Sequence, residues 1–508
     1  MSAEKAKKGH DHKKSWDLTG PWAGAWKAFA GVGVLGLLGA GAGYASDQRR
    51  FAYAWMFAFV TVLAVALGNM FFVLVQRLTS AGWSVTVRRT AEFYTYGILV
   101  MIPLFIPALL TMNHLWPSFA GEGQHHASMS LVTPAYAQAP AASGGTASGM
   151  ALPKDKPAGT VPVGEGTHGE PAGSVGDPTG RLPGAAAGVP ADKPAHGDGH
   201  GGGHGNGQGE HAGQGAHGSG GNPHALIHHQ VMEKKSVYLN KTFFLARMVG
   251  YFVIWAILAL RLFKLSTDED KKKDPNLTIA AQRFAPGATV LFGLTLTFAA
   301  FDWIMALEPT WFSTIFGVTY FACGVVASYA TLILTTLALK KSGPLEGAVT
   351  VEHYHDLGKL MFGFLVFWGY VNFSQFMLIW YAALPEETTF YHNRWDWAPW
   401  DKVSFAIMAL HFVVPFFWTM SRWFKRNTGR LQIGALILVV MHCVNMYWHV
   451  MPNYMLGQDG FTFHWMDIAC LLAVAGIYGA VVFHRMTKHP LIPVGDPRLE
   501  RSFHFQNA

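Results

Sequence analysis

Residues 51–75 read FAYAWMFAFVTVLAVALGNMFFVLV, a run without a charged side chain, interrupted by the polar Thr61 and Asn69. As a helix it extends about 38 Å, more than the ~30 Å hydrocarbon core of a bilayer. Comparable apolar stretches occupy residues 26–44, 92–112, 243–262, 285–307, 312–339, 357–382, 403–420, 433–450 and 465–482. The expected fold class is therefore an all-α integral membrane protein of about ten transmembrane helices, arranged as two four-helix bundles plus two peripheral helices.

Mean hydropathy is +0.21 although a polar insert interrupts the chain. The net charge of +7 is not gathered into one basic patch, so it does not read as a nucleic-acid surface. Lys and Arg instead fall in alternate short loops. Arg77, Arg88, Arg89, Arg261, Lys264, Arg283, Lys340, Lys341, Arg422, Arg426, Arg485 and Lys488 share one side, and Arg49, Arg50, Arg394 and Lys402 the other. The positive-inside rule then predicts that both termini are cytoplasmic, with membrane lipid as the first partner. The lysine-rich start and the lack of a cleavage site behind the first apolar run predict that the first helix is retained.

The expected organisation is a tail at 1–21, helices one to three at 22–116, an insert at 117–235, helices four to ten at 236–485 and a second tail at 486–508. The insert is rich in Gly, Pro, Ala and His. It cannot bury enough apolar surface to offset chain entropy, so disorder on the outer side is expected. Its histidines (His196, His200, His204, His211, His217, His224, His228, His229) lack the spacing of a dedicated metal site. The run TPAYAQA around Ala135 resembles a signal-peptidase site without the preceding apolar region. Cys323, Cys443 and Cys470 stand apart in apolar helices, the pattern of small buried residues and not of an iron-sulfur or covalent haem site. No cofactor is expected to be held by this chain.

A charge at a helix centre costs at least ~2.5 kcal/mol, so polar residues at membrane depth are the functional candidates. Glu92 heads the third stretch, and His353, His355, Asp356 and Lys359 head the seventh. His411 and His442 fall mid-depth, with Asp302, Glu308, His449 and Asp467 toward the outer side. The segments VTVRRTAE (Val85–Glu92) and VTVEHYHD (Val349–Asp356) align Glu92 with Asp356, as parallel repeats of helices two to five and six to nine require. Buried carboxyls and imidazoles can take up and release protons near neutral pH. Glu92, His355, Asp356, Lys359, His411, His442, His449 and Asp467 are thus candidates for a proton path. The alternative for the acids is ordinary pairing, Glu92 with Arg88 or Arg89 and Asp356 with Lys359. His442 and His449 share one helix face, which raises b-type haem ligation against simple hydrogen bonding. Asp302, Trp303 and Glu308 can meet a quinone head or serve as interfacial anchors.

Long runs also carry a resemblance: AGWSVTVRRTAE (Ala81–Glu92), FDWIMALEPTWFSTIFG (Phe301–Gly317), HDLGKLMFGFLVFWGYVNFSQFMLIWYAALPEET (His355–Thr388) and the tail around Pro490–Pro497. Together they resemble the second large membrane subunit of alternative complex III, the bacterial quinol:cytochrome c oxidoreductase, of the polysulfide-reductase membrane-anchor (NrfD-like) superfamily. The His/Gly-rich insert departs from that pattern. The resemblance implies a ten-helix scaffold beside a sister ten-helix subunit, an iron-sulfur subunit and a multihaem cytochrome c. Haem and iron-sulfur would sit in those partners, and quinol oxidation in the sister. Within the matching runs the resemblance favours Glu92 and Asp356 for proton conduction. A passive anchor, a quinone-binding subunit and a stand-alone secondary transporter remain the alternatives.

Overall fold

The structure, a computed structural model, describes residues 16–119, 231, 233–396, 398–455 and 463–507. The histidines of the insert, the run around Ala135 and the lysines of the first tail lie outside the described residues. Among the described residues ten helices are long and apolar enough to span a membrane. They are α1 (Ala25–Ser46), α2 (Gln48–Leu78), α3 (Val85–Leu110), α4 (Lys241–Lys272), α5 (Pro275–Trp303), α6 (Phe316–Lys341), α7 (Val351–Ala382), α8 (Trp400–Met420), α9 (Thr428–Val450) and α10 (Trp465–Met486). Among the described residues there is no strand. The chain is an all-α, multi-pass membrane protein.

Polar caps set several of the helix starts. Asp47 accepts from the Arg50 amide at 2.9 Å, so a single residue separates α1 from α2. Asn240 accepts from the Phe243 amide at 2.8 Å to start α4, and Asp274 with Pro275 starts α5. Each side-chain acceptor satisfies an amide that has no carbonyl inside its own helix. Several helices outrun their apolar stretches. Most consequentially, α3 begins at Val85 and α7 at Val351, so neither Glu92 nor Asp356 is the first residue of its helix. Their polar first turns continue as helix because neighbouring elements cover them.

Two helices depart from regular geometry. Pro103 and Pro107 divide α3 into Val85–Tyr96, Ile98–Leu104 and Ile106–Leu110, as missing amides and ring clashes require. Trp55 Nε1 donates to the Leu104 carbonyl at 2.8 Å at that break. In α8 a π-helical segment, Ile407–Val413, carries His411 and leads into Pro415.

The packing makes two squares and a flank. Helices α2, α3, α4 and α5 surround one another, as do α6, α7, α8 and α9. The most buried spans, α2 and α6, pack together at the centre, with α5 against α6 and α9 against α2. Like-oriented bundles related by an axis along the bilayer normal produce these paired contacts. A methyl on Gly68 of α2 would stand 2.5 Å from the Gly324 carbonyl oxygen of α6. Small residues here let two backbones approach, the usual means of close helix association in lipid. Outside the squares, α10 packs on α2 and α3, and α1 lies along α10.

The two ends of the described chain meet on one face, which we call the terminal face. The Leu491 amide donates to the Trp16 carbonyl at 2.9 Å, and the rings of Trp16 and Phe503 stack at 6.0 Å. An even number of spans has returned the chain to its starting side.

Candidate functional site

At the terminal face the first bundle buries a compact network of charge. Arg77 comes from the end of α2, Arg88, Arg89 and Glu92 from the first turns of α3, and Glu269 and Asp270 from the end of α4. Asp496 and Arg498 arrive from the tail that follows α10. Glu92 accepts from Arg88 Nε at 3.1 Å and lies 3.0 Å from Arg89 Nε and 3.4 Å from Arg77 Nη2. Arg88 Nη2 reaches Asp496 Oδ2 at 2.7 Å, and Arg89 Nη2 reaches Asp270 Oδ2 at 2.6 Å. Arg77 Nη2 lies 3.7 Å from Glu269 Oε2, and Thr278 donates its hydroxyl to Glu269. The group sets four guanidinium groups against four carboxyls, which balances its formal charge.

Glu92 is only 1% exposed and has three arginine neighbours, so it is not an open entrance at a helix head. Pairing with Arg88 and Arg89 is realised, with Arg77 added from α2. Outside the spans, burial alone would lift the Asp496 carboxyl, but Arg88 and Arg498 hold it well below the usual carboxylate range.

The aligned position in the second bundle differs in chemistry. Asp356 pairs with Lys359 one turn on at 2.5 Å, and that lysine side chain is half-exposed. Where α3 carries Arg88 and Arg89, α7 carries Glu352 and His353. Arg426, beyond α8, grips Glu352 at 2.8 and 2.5 Å. His353 caps α7 with Thr350, and His355 is buried with no hydrogen-bond partner at Nδ1. The repeat extends to position and orientation but not to the charge pattern.

Mid-depth, His442 bridges the two bundles. Its Nε2 meets the Thr61 carbonyl of α2 at 3.0 Å, and its Nδ1 meets Cys323 Sγ of α6 at 3.1 Å. A carbonyl only accepts, so in the neutral ring Nε2 carries the proton and Nδ1 accepts from the thiol. Both nitrogens are committed, leaving no ring lone pair for a haem iron in this arrangement. Cys323 also accepts from Asn445 Nδ2 at 3.4 Å, a polar junction where sequence alone suggested an inert small residue. His449 Nδ1 donates to the Asn445 carbonyl at 2.8 Å. His411 is different: it is fully buried, stacks on Trp368 at 4.2 Å, and makes no well-formed hydrogen bond, only a loose approach to the Met441 carbonyl of α9.

On the opposite face, three acids are braced by arginine. Arg247 of α4 holds both carboxylate oxygens of Asp302 at 2.8 Å, and the Tyr251 hydroxyl adds 2.7 Å. Arg50 of α2 reaches Asp467 of α10 at 2.8 Å, with Tyr447 from α9 at 3.0 Å. Arg394, on the short helix Pro385–Trp395, lies 3.6 Å from Glu308 and caps the Trp448 and His449 carbonyls at 3.1 and 3.3 Å. Burial raises the Glu308 carboxyl against the pull of Arg394, and it lowers the guanidinium of Arg394 to about 10. Trp303 packs among Phe59, Phe105 and Phe252, its Nε1 without a hydrogen-bond partner. A quinone head at Asp302 would have to displace Arg247.

The proton-path candidates therefore fall in separate places: Glu92 in the first bundle, His355, Asp356 and Lys359 on the second, His411, His442 and His449 mid-depth and beyond, Asp467 on the opposite face. Sequence reading counted Arg77 only as a topology marker and passed over Glu269 and Asp496. The available signal was the acid in PLIPVGDP (Pro490–Pro497), a lone charge in an apolar, proline-bounded tail. Among the described residues no group of three or more His, Cys, Asp or Glu is placed to hold a metal ion. Compared with known proteins, the chain matches no family model and no curated protein.

Proposed function

We propose that this chain is a scaffolding membrane subunit of a bacterial quinol:cytochrome c oxidoreductase of the alternative complex III kind, set in the cytoplasmic membrane with its terminal face inward. The observation behind the scaffolding role is the bracing of buried acids by arginines from other elements. Arg50–Asp467 ties α2 to α10, Arg247–Asp302 ties α4 to α5, and Arg88–Asp496 ties α3 to the tail. Charges committed in this way fix helices at low dielectric and resist rearrangement. The family assignment rests on the long sequence runs, and in it electrons pass through haem and iron-sulfur centres of partner subunits. Purifying the tagged chain in mild detergent tests it: a multihaem cytochrome c, an iron-sulfur protein and a sister ten-helix chain should come with it. Isolation of a single, stable species would exclude the reading.

Proton conduction is the second reading, favoured by His411. A fully buried imidazole in a π-helical segment, with no well-formed hydrogen bond and only a loose approach to the Met441 carbonyl, is costly to keep, and π segments recur at functional sites. Proton uptake by the intact complex in liposomes, with His411→Phe, tests it. A reduced proton-to-electron ratio at unchanged quinol oxidation is expected, and an unchanged ratio excludes the path.

A further inference from the structure

The tail beyond α10 is bound to the bundles as a ligand is bound to a receptor. Leu491 and Ile492 are fully buried, and Gly495 lies against the end of α4 so closely that a methyl there would stand 2.0 Å from the Glu269 carbonyl oxygen. The Gly495 amide donates to Asp270 Oδ1 at 3.1 Å. The next residue places its carboxylate on Arg88 at 2.7 Å, inside a chamber whose walls are Arg77 and Arg88. Further on, the Ser502 hydroxyl is shared by both repeats. It donates to the Trp83 carbonyl before α3 at 2.7 Å, meets Thr86 Oγ1 at 3.1 Å and meets His353 Nε2 of α7 at 3.2 Å. Asn507 completes the crossing, donating to the Glu352 carbonyl at 3.1 Å and accepting from Lys359 at 2.9 Å.

We propose that the segment Pro490–Asn507 is a clasp: a peptide ligand that presents one carboxylate, Asp496, to the arginine-lined chamber between α2, α3 and α4, and that also grips α7 and so fixes the two bundles to each other on the terminal face. Without the tail the chamber holds Arg77, Arg88 and Arg89 against Glu92, Glu269 and Asp270, so Arg88 keeps Glu92 at 3.1 Å but its Nη2 loses the 2.7 Å contact with Asp496, among several buried nitrogen and oxygen atoms already lacking hydrogen-bond partners. A buried donor left without its acceptor incurs its full desolvation cost. The chamber is thus built for a carboxylate flanked by glycine, because only a residue without Cβ lets the peptide backbone reach α4. The clasp holds whether or not protons move through the protein.

The test separates docking from folding. A site-specific protease sequence is inserted beside the exposed Lys488 in the full chain, the folded protein is cut in mild detergent, and retention of the released segment is followed by gel filtration and mass spectrometry. The cut wild-type segment should stay bound, and Asp496→Asn or Gly495→Val should speed its release more than tenfold. A synthetic peptide of residues 490–507 should restore the thermal midpoint of emptied protein, and the same peptide with Asp496→Asn should not. Immediate loss of the wild-type segment, or equal retention and rescue with Asp496→Asn, overturns the proposal.

Discussion

Arg50 and Asp467 form an ion pair at 2.8 Å across the seam between α2 and α10, with side chains 6% and 1% exposed. The acid is also fixed by Tyr447 and by the His464 amide at 3.1 Å, so its position is specified from three elements. Asp467→Ala leaves Arg50 buried without its acid and should cost about 3–5 kcal/mol. The double change Arg50→Met with Asp467→Leu should cost far less. Thermal unfolding of the four chains of this cycle in one detergent measures the coupling, and additive costs would remove the brace.

The aligned acids Glu92 and Asp356 should respond unequally. Glu92→Gln weakens the balance against Arg77, Arg88 and Arg89 in a buried setting and should lower stability by roughly 3 kcal/mol or more. Asp356→Asn removes a pair whose lysine is half-exposed and should cost ~0–1 kcal/mol. Thermal midpoints of the single variants decide this, and equal losses would contradict the asymmetry.

His411→Phe should leave stability unchanged or raise it. The ring's approach to the Met441 carbonyl is too loose for a well-formed hydrogen bond, and phenylalanine can keep the stack on Trp368 while removing two buried polar atoms. Calorimetry in detergent is the check. A loss above ~2 kcal/mol would mean that this imidazole has an important polar partner.

The α1–α10 seam should be intolerant of added volume at one glycine and indifferent at another. A methyl on Gly36 would stand 2.3 Å from the Ala473 backbone nitrogen, whereas nothing lies within 4 Å of one on Gly41. Gly36→Val should therefore loosen α1, and Gly41→Val should not. Cysteine cross-linking between α1 and α10 reports the difference.

Docking of the clasp should weaken between pH 6.5 and about 4. Burial, then Arg485 of α10, Arg89 of α3 and Lys271 of α4, push His489 down to about 4, and its ring packs edge-on against Phe263. A histidine held neutral when docked but titrating normally when free favours release as pH falls through that window. Asp496 contributes only toward the acid end of that window, since it stays ionised when docked while the free carboxyl begins to take up protons as pH approaches about 4. Release rates of the cut segment at pH 7 and pH 5 should differ, faster at pH 5.

Sequence by itself determined the ten spans, the even count and the all-α class, because a hydrocarbon core demands long apolar helices whose backbone groups are satisfied internally. It also offered Arg88 or Arg89 as a partner for Glu92, the alternative to a proton role, since neighbours three and four apart on a helix are fixed by local geometry. Only the tertiary structure decided that Arg77 joins them from α2, that Asp496 enters from the far end of the chain, and that Cys323 answers His442. Those contacts join residues hundreds of positions apart, and no periodicity encodes which buried charge will meet which. The match of Val-Thr-Val at the starts of α3 and α7 gave a short alignment of the kind that two bundles of like orientation require. The unlike residues that follow, Arg88 and Arg89 against Glu352 and His353, gave the two repeats different interiors.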